Sequence, residues 1–224
     1  MRATGPSAPL TLVFEDEVES VLGGPGLYDV GLNANLCFAD DLTCSSPVDT
    51  GITDSSGTVL LHAPLDGGPF IGYVDAVDPN LTGDAGVLEN LVYTQPFINA
   101  LSLVPVTFSQ QDRIQYGPIL GNPNLDTKGG LLAEIHDCQD LPVAGATLTT
   151  TTTDPSMLIL YVAGGFPSLS AHATDASGRL LIMNVPPSDT FGLTTYNDQG
   201  AVAGQYTVVV KAGAITSLFA KPNQ

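Results

Sequence analysis

The sequence predicts an all-β protein, two small sandwiches joined by a short helical connector. Three observations carry that reading: acidic residues that are mostly Asp, short apolar runs that alternate with period two, and a turn motif that occurs twice. Of the 23 acidic residues 18 are Asp and five are Glu, and the chain holds 24 Gly and 17 Pro. Asp, Gly and Pro form turns while Glu is the better helix former, so strands joined by corners are favoured over helices. The 224 residues leave room for two compact units, because single domains settle near about 100 to 150 residues.

The first unit is assigned to residues 9–92. Leu10 to Phe14 reads as a short apolar strand, and Leu27 to Phe38 alternates through Tyr28, Val30, Leu32 and Leu36. Thr58 to His62 follows the turn residues Asp54, Ser55, Ser56 and Gly57, and Phe70 to Val77 follows Asp66, Gly67, Gly68 and Pro69. Each run is short and bounded by turn formers, which is the signature of strands in a sandwich.

Residues 93–129 form the expected connector. Just before them, Val87 to Val92 has weak helical spacing through Leu88 and Leu91. Thr94 to Thr107 is extended and punctuated by Pro96 and Pro105. Ser109 with Asp112 three residues later resembles a capping box, and Ile114, Ile119 and Leu120 give the helix after it an apolar side. Gly117-Pro118 limits its length, and 121–130 is the more flexible boundary.

The second unit, 130–224, opens with Leu131 to Cys138, where Leu131, Ala133 and Ile135 share one face and Leu132, Glu134 and His136 the other. Strands are then expected over 146–151, 157–162, 168–174, 179–184, 190–196, 204–211 and 214–220. Thr53-Asp54-Ser55-Ser56-Gly57 in the first unit matches Thr174-Asp175-Ala176-Ser177-Gly178 in the second, an offset of 174 − 53 = 121. At the same offset Leu60 and Leu61 fall on Leu181 and Ile182, and Phe70 falls on Phe191. A turn with apolar positions in register on both sides points to two related units.

Charge excludes one class of partner. Six basic residues against 23 acidic ones give a formal net charge of −17, which opposes phosphate-backbone binding, so no nucleic-acid partner is expected. No run approaches the roughly 20 apolar residues that a membrane-crossing helix needs. Met1 to Ala8 lacks a leader pattern, and the expectation is an exported chain whose leader has been removed. Cys37 and Cys44 lie seven positions apart around Asp40-Asp41, close enough for a local disulfide, which implies an oxidising compartment. Cys138 is then left over; the alternative pairs Cys138 with one of the two and leaves a different orphan.

Asp137-Cys138-Gln139-Asp140-Leu141-Pro142-Val143-Ala144-Gly145-Ala146, followed by Thr174-Asp175-Ala176-Ser177-Gly178 and Asn184-Val185-Pro186-Pro187, resembles the carboxypeptidase regulatory-like domain. That resemblance implies a transthyretin-like sandwich of about seven strands in each unit, in the manner of two-domain secreted or lipid-anchored proteins of myxobacteria. It covers Gly130 to Pro222 well and Leu10 to Val77 less closely, where the Pro-Val-x-Gly-Ala element is reduced to Pro47-Val48-Asp49-Thr50-Gly51. It specifies a scaffold and transfers no catalytic residue.

Candidate chemistry is sparse. A zinc carboxypeptidase needs His-x-x-Glu, but Leu65, Gln139 and Asp175 stand three residues after His62, His136 and His172. The chain end, Lys221-Pro222-Asn223-Gln224, lacks the terminal motif of ureide hydrolases, and no two histidines are close enough in sequence for a ring-cleaving iron site. A transition-metal set can be drawn from Glu134, His136 and His172, which alternation turns to one side of their strands. A calcium set can be drawn from Asp75, Asp78, Asn80 and Asp84, four oxygen donors in ten residues that depart from EF-hand order. Loop acids and exposed histidines of this kind are usually solvated, so no cofactor is expected, with calcium as the alternative. Some pilin-like sandwich domains carry a Lys–Asn side-chain amide, and Lys211 lies in a strand where a resemblance to them would place one, but sequence assigns it no acidic partner, and it reads as an exposed strand lysine. Thr149 to Thr153 and Ser45-Ser46 lack the turn that presents a serine nucleophile.

The expected function is a non-catalytic, secreted or cell-surface structural or adhesive protein. Its partners would be a protein or polysaccharide at the cell surface, or further copies of itself, met through loops or strand edges. The alternative is an accessory module that binds a polysaccharide or peptide.

Overall fold

Strands form where apolar side chains alternate, and they stop where a turn residue intervenes. A computed structural model describes residues 10–15, 17–18, 27–28, 31–64, 69–79, 88–93, 101–103, 117–118, 120–121 and 123–222. Among the described residues there are 17 strands and no helix. The first half supplies β1 (Leu10–Glu15), β2 (Glu17–Val18), β3 (Leu27–Tyr28), β4 (Asn33–Phe38), β5 (Asp49–Ile52), β6 (Thr58–Ala63), β7 (Gly72–Val77) and β8 (Asn90–Tyr93). After β9 (Leu101–Leu103) come β10 (Gly129–Ile135), β11 (Thr147–Thr150), β12 (Leu158–Ala163), β13 (Phe166–Ser168), β14 (Arg179–Val185), β15 (Ser188–Tyr196), β16 (Val202–Val210) and β17 (Ile215–Ala220).

One pairing scheme occurs twice. In the first half β1 lies between antiparallel β6 and parallel β9, while β7 lies between β4 and β8. In the second half β10 lies between antiparallel β14 and parallel β17, while β15 lies between β11 and β16. The repeated turn has the same chemistry in both places. Asp54 Oδ1 accepts from the backbone N–H and hydroxyl of Ser56, at 2.8 and 2.6 Å, and Asp175 Oδ1 does the same from Ser177 at 2.9 and 2.6 Å. Each turn closes on a glycine with positive φ, 73° at Gly57 and 68° at Gly178, a conformation that costs glycine nothing.

The two halves meet edge to edge. β8 pairs in parallel with β17, through Asn90 opposite Ile215 to Tyr93 opposite Leu218. One nine-stranded sheet results, in the order β13-β12-β14-β10-β17-β8-β7-β4-β5. Apolar side chains cover both of its faces. On one, Leu12 and Phe14 of β1 and Leu61 of β6 pack on Leu36, Val74 and Val92. On the other, Phe191, Leu193 and Val208 pack on Leu131, Ala133 and Ile182, and Tyr73, Leu91 and Tyr93 of the first half join this same cluster. A third cluster sets Leu88, Leu120 and Leu125 against Leu132, Leu181, Met183 and Ile215. Each large side chain buried in this way contributes roughly 1.5 to 3 kcal/mol.

Several elements differ from the sequence expectation. The run 27–38 is two strands, because Gly31 turns the chain at φ 87°. Asp49–Ile52, not expected as a strand, pairs with β4 at the end of the large sheet. Leu88 and Leu91 do not lie on a helix: Leu91 belongs to strand β8, whose four residues are all buried and so cannot alternate, and Leu88 precedes that strand. The strand expected over 168–174 ends at Ser168, whose hydroxyl accepts from the N–H groups of Ser170 and Ala171 and turns the chain away. Residues 109–116 and 119, which hold most of the expected helix, lie outside the described residues, while Gly117, Pro118, Leu120 and Gly121 are in turns.

Candidate functional site at the seam between the halves

Asp75, Glu89 and Lys211 converge beside the β8–β17 seam. Asp75 sits on β7 opposite Leu91 of β8, on the face that carries Tyr73 and Leu91 into the core of the second half. Glu89 immediately precedes β8, and its carbonyl accepts the N–H of Ile215 at the start of β17. Lys211 follows the last residue of β16. Its ammonium lies 3.1 Å from Asp75 Oδ2 and 2.5 Å from Glu89 Oε1. The lysine expected to be exposed is thus half-buried between two carboxylates, because the β16–β17 corner folds back over β7.

The two carboxylates differ in setting. The side chain of Asp75 is 7% exposed and that of Glu89 29%. Asp75 Oδ1 is buried and has no hydrogen-bond partner. Burial pushes the Asp75 carboxyl up to about 6, with the Glu89 charge adding to the rise and Lys211 opposing it. The Lys211 ammonium is held above its ordinary value by Glu89 and Asp75, against the effect of burial.

Aromatic rings wall this site on the side of the first half. Tyr73 and Tyr93 stack with centroids 4.9 Å apart. Tyr73 donates its hydroxyl to the Asp41 carbonyl at 2.7 Å, and Tyr93 Oη accepts from the Val209 N–H at 3.1 Å. Burial raises both phenols. Cys37 and Cys44 are joined by a disulfide, with Cα atoms 5.5 Å apart, and Asp41 organises the loop they close. The Asp41 carboxylate accepts the N–H groups of Ser46 and Ser45 at 2.8 and 3.1 Å, and these bonds hold it below the usual carboxylate range. Cys138 is free and exposed.

A second polar cluster lies on β10. Glu134 Oε1 and His136 Nε2 are 2.7 Å apart, and His136 Nδ1 lies 2.7 Å from Asp140 Oδ1. Arg179 donates to Glu134 Oε2 at 2.9 Å, and Lys221 reaches Asp140 at 2.8 Å. His136, expected on an outward face, therefore has carboxylate oxygens at both ring nitrogens. His172, the third residue of that candidate metal set, is exposed in the loop after β13. Of the calcium candidates, Asp75 faces Lys211 and Asp78 lies just past β7, while Asn80 and Asp84 lie outside the described residues. Among the described residues no group of three or more His, Cys, Asp and Glu side chains converges as a metal site. Among the described residues no helix is long and apolar enough to cross a membrane. Sequence spacing gave no hint of the Asp75–Lys211 pair, since its members are 136 residues apart.

No family model and no curated protein matches the chain. The carboxypeptidase regulatory-like resemblance therefore rests on the motif residues alone. Among solved structures, the chain is similar to the shaft pilin of Lactobacillus rhamnosus GG, at 12% identity and TM-score 0.29, over 96% of this chain and 99% of that one. It is also similar to a minor pilin of Streptococcus agalactiae, at 14% identity and TM-score 0.28, over 97% and 98% of the two chains. A streptococcal ancillary pilin matches at 10% identity and TM-score 0.30, over 97% of this chain and 64% of that one. Likenesses at this level fix neither the activity nor the partners of this chain.

Proposed function

We propose that the chain is a non-catalytic structural or adhesive component of the cell surface, exported and built from two transthyretin-like units. The observation that carries this reading is the β8–β17 pairing, which joins strands of both halves into one sheet. Such a sheet holds its two end strands, β5 and β13, at a fixed spacing. An end strand presents unpaired main-chain groups to which another chain can add. Apolar side chains stand exposed near both ends, Ile52 and Leu60 by β5 and Phe166 and Leu169 by β13. The charged side chains support a scaffold role, since those of Lys128, Glu134, Asp154, Arg179 and Lys211 are engaged in ion pairs with one another or with neighbours. The Cys37–Cys44 disulfide supports an oxidising, extracellular setting.

Two measurements test the proposal together. Antibodies against the folded chain are expected to label intact cells of the producing organism. Light scattering is expected to show average mass rising with concentration, and Phe166→Asp together with Ile52→Asp to suppress the rise. A chain confined to the cell interior, or one with chelator-sensitive turnover of a substrate, overturns it.

A further inference from the structure

We propose that Asp75, Glu89 and Lys211 form a proton-dependent clamp on the β8–β17 seam, in which Asp75 takes up a proton in mild acid and the two halves then hold together more firmly than at neutral pH. The cluster has a charge it does not balance. Two carboxylates face one ammonium, with Asp75 Oδ2 3.1 Å and Glu89 Oε1 2.5 Å from Lys211 Nζ. Glu89 has both the shorter contact and the greater exposure, 29% against 7% for Asp75. It is therefore the carboxylate that Lys211 neutralises, and Asp75 is left with the uncompensated charge. The Oδ1 atom of Asp75 is buried without a hydrogen-bond partner, the costliest setting for an ionised oxygen.

Among the described residues no second cation pairs with Asp75. Asn35 of β4 and Leu91 of β8 stand opposite it on the neighbouring strands. The other titratable groups around it are Tyr73 and Tyr93, which burial keeps as uncharged phenols, and the Tyr73 hydroxyl proton goes to the Asp41 carbonyl. A proton on Asp75 removes the excess charge, and a hydrogen bond to the Glu89 carboxylate favours that protonated form. One balanced ion pair remains, Lys211 with Glu89, and it spans the seam from the β16–β17 corner to the residue before β8. Glu89 is also tied to β17 through its carbonyl, which accepts the Ile215 N–H at 2.9 Å. Burial and the Glu89 charge, against Lys211, place the Asp75 carboxyl at about 6, while an exposed Asp titrates near about 4. A carboxyl raised in the folded chain binds its proton more tightly there than in the opened one. Its stabilising effect therefore appears as pH falls through about 6 and is complete below about 4.

Two measurements on the full chain test this. The side-chain carboxyl carbon of Asp75, followed by NMR, is expected to titrate near about pH 6 in the native protein. Amide hydrogen exchange, corrected for its intrinsic pH dependence, is expected to show protection of the Ile215 N–H and its β17 neighbours rising about tenfold between about pH 7.5 and 5. Asp75→Asn, uncharged throughout that range, is expected to show no such rise, and Glu89→Gln, which removes the excess carboxylate, a smaller one. An Asp75 carboxyl that titrates near about 4 overturns the proposal. So does wild-type protection that stays flat or falls over the same interval, or an Asp75→Asn chain whose protection rises as much as that of wild type. The two wild-type readings decide the matter even where a variant fails to fold.

Discussion

Thr53 and Thr174 make the same pair of hydrogen bonds in the two halves of the chain. The N–H of Thr53 donates to the Leu32 carbonyl at 3.0 Å, and the N–H of Leu32 donates back to Thr53 Oγ1 at 2.9 Å. Thr174 exchanges the corresponding bonds with Ala146, both at 3.0 Å, and its hydroxyl donates to the Val143 carbonyl at 2.7 Å. Leu32 and Ala146 each precede a strand, β4 and β11. The threonine thus sets where the second layer of each half begins.

Both threonines are buried, so valine fits the space but leaves a buried N–H without an acceptor. Thr53→Val and Thr174→Val are each expected to cost about 1 to 3 kcal/mol. The serine variants, which keep the oxygen, are expected to cost less. Denaturant unfolding with an unchanged slope checks this, and a valine variant as stable as wild type would show that the hydroxyls contribute nothing.

The repeated turn was legible in the sequence because its chemistry is local. An Asp, a Ser two residues on and a Gly after it satisfy one another whatever the rest of the fold does. The alternating strands were legible for the same reason. β8 was not, because a strand buried on both faces has no period, and two leucines three apart suggest a helix instead. Lys211 was misread as exposed because alternation assigns a face of its own strand and says nothing of a β7 carboxylate 136 residues earlier. His136 was half legible: Glu134 and Asp140 flank it in sequence, yet only the folded strand and corner bring both oxygens to its ring.

The Cys37–Cys44 bridge closes a short loop that Asp41 and Tyr73 already anchor. Replacing both cysteines by alanine is expected to lower stability by about 2 kcal/mol, the loop-entropy value for so short a ring. Thiol labelling of the unfolded chain should modify one cysteine without reductant and all three with it. Labelling of the native chain should reach the exposed Cys138 alone. Three reactive thiols without reductant would show that the bridge is absent.

Two glycines separate backbone strain from crowding. Gly164, at φ 63°, has no atom within 4 Å of the place a Cβ would take. Gly178, at φ 68°, has the Ile135 carbonyl oxygen 2.6 Å from that place, and β10 cannot yield there without breaking its register. Gly164→Ala is expected to cost about 1 kcal/mol, the left-handed penalty alone. Gly178→Ala is expected to cost clearly more. Equal losses in thermal unfolding would mean that the β10–β14 corner relaxes freely.

Acid is expected to destabilise the fold, through carboxylates that the native state keeps ionised. Asp54 is held below the usual range by the Ser56 hydroxyl and N–H. Asp140 is held there by Lys221 and His136, and Asp154 by the Ser156 hydroxyl and Lys128. A carboxyl with a lowered native value binds its proton more readily in the unfolded chain. Its contribution is complete above the ordinary value, about 4, and is lost as pH falls through the native one. The denaturation midpoint should therefore fall as pH drops below about 4. Asp154→Asn should lower the midpoint at neutral pH and make the acid limb shallower, because the amide cannot take up the proton and pairs less well with Lys128. An acid limb as steep as that of wild type would mean that the Asp154 carboxylate is no better stabilised folded than unfolded.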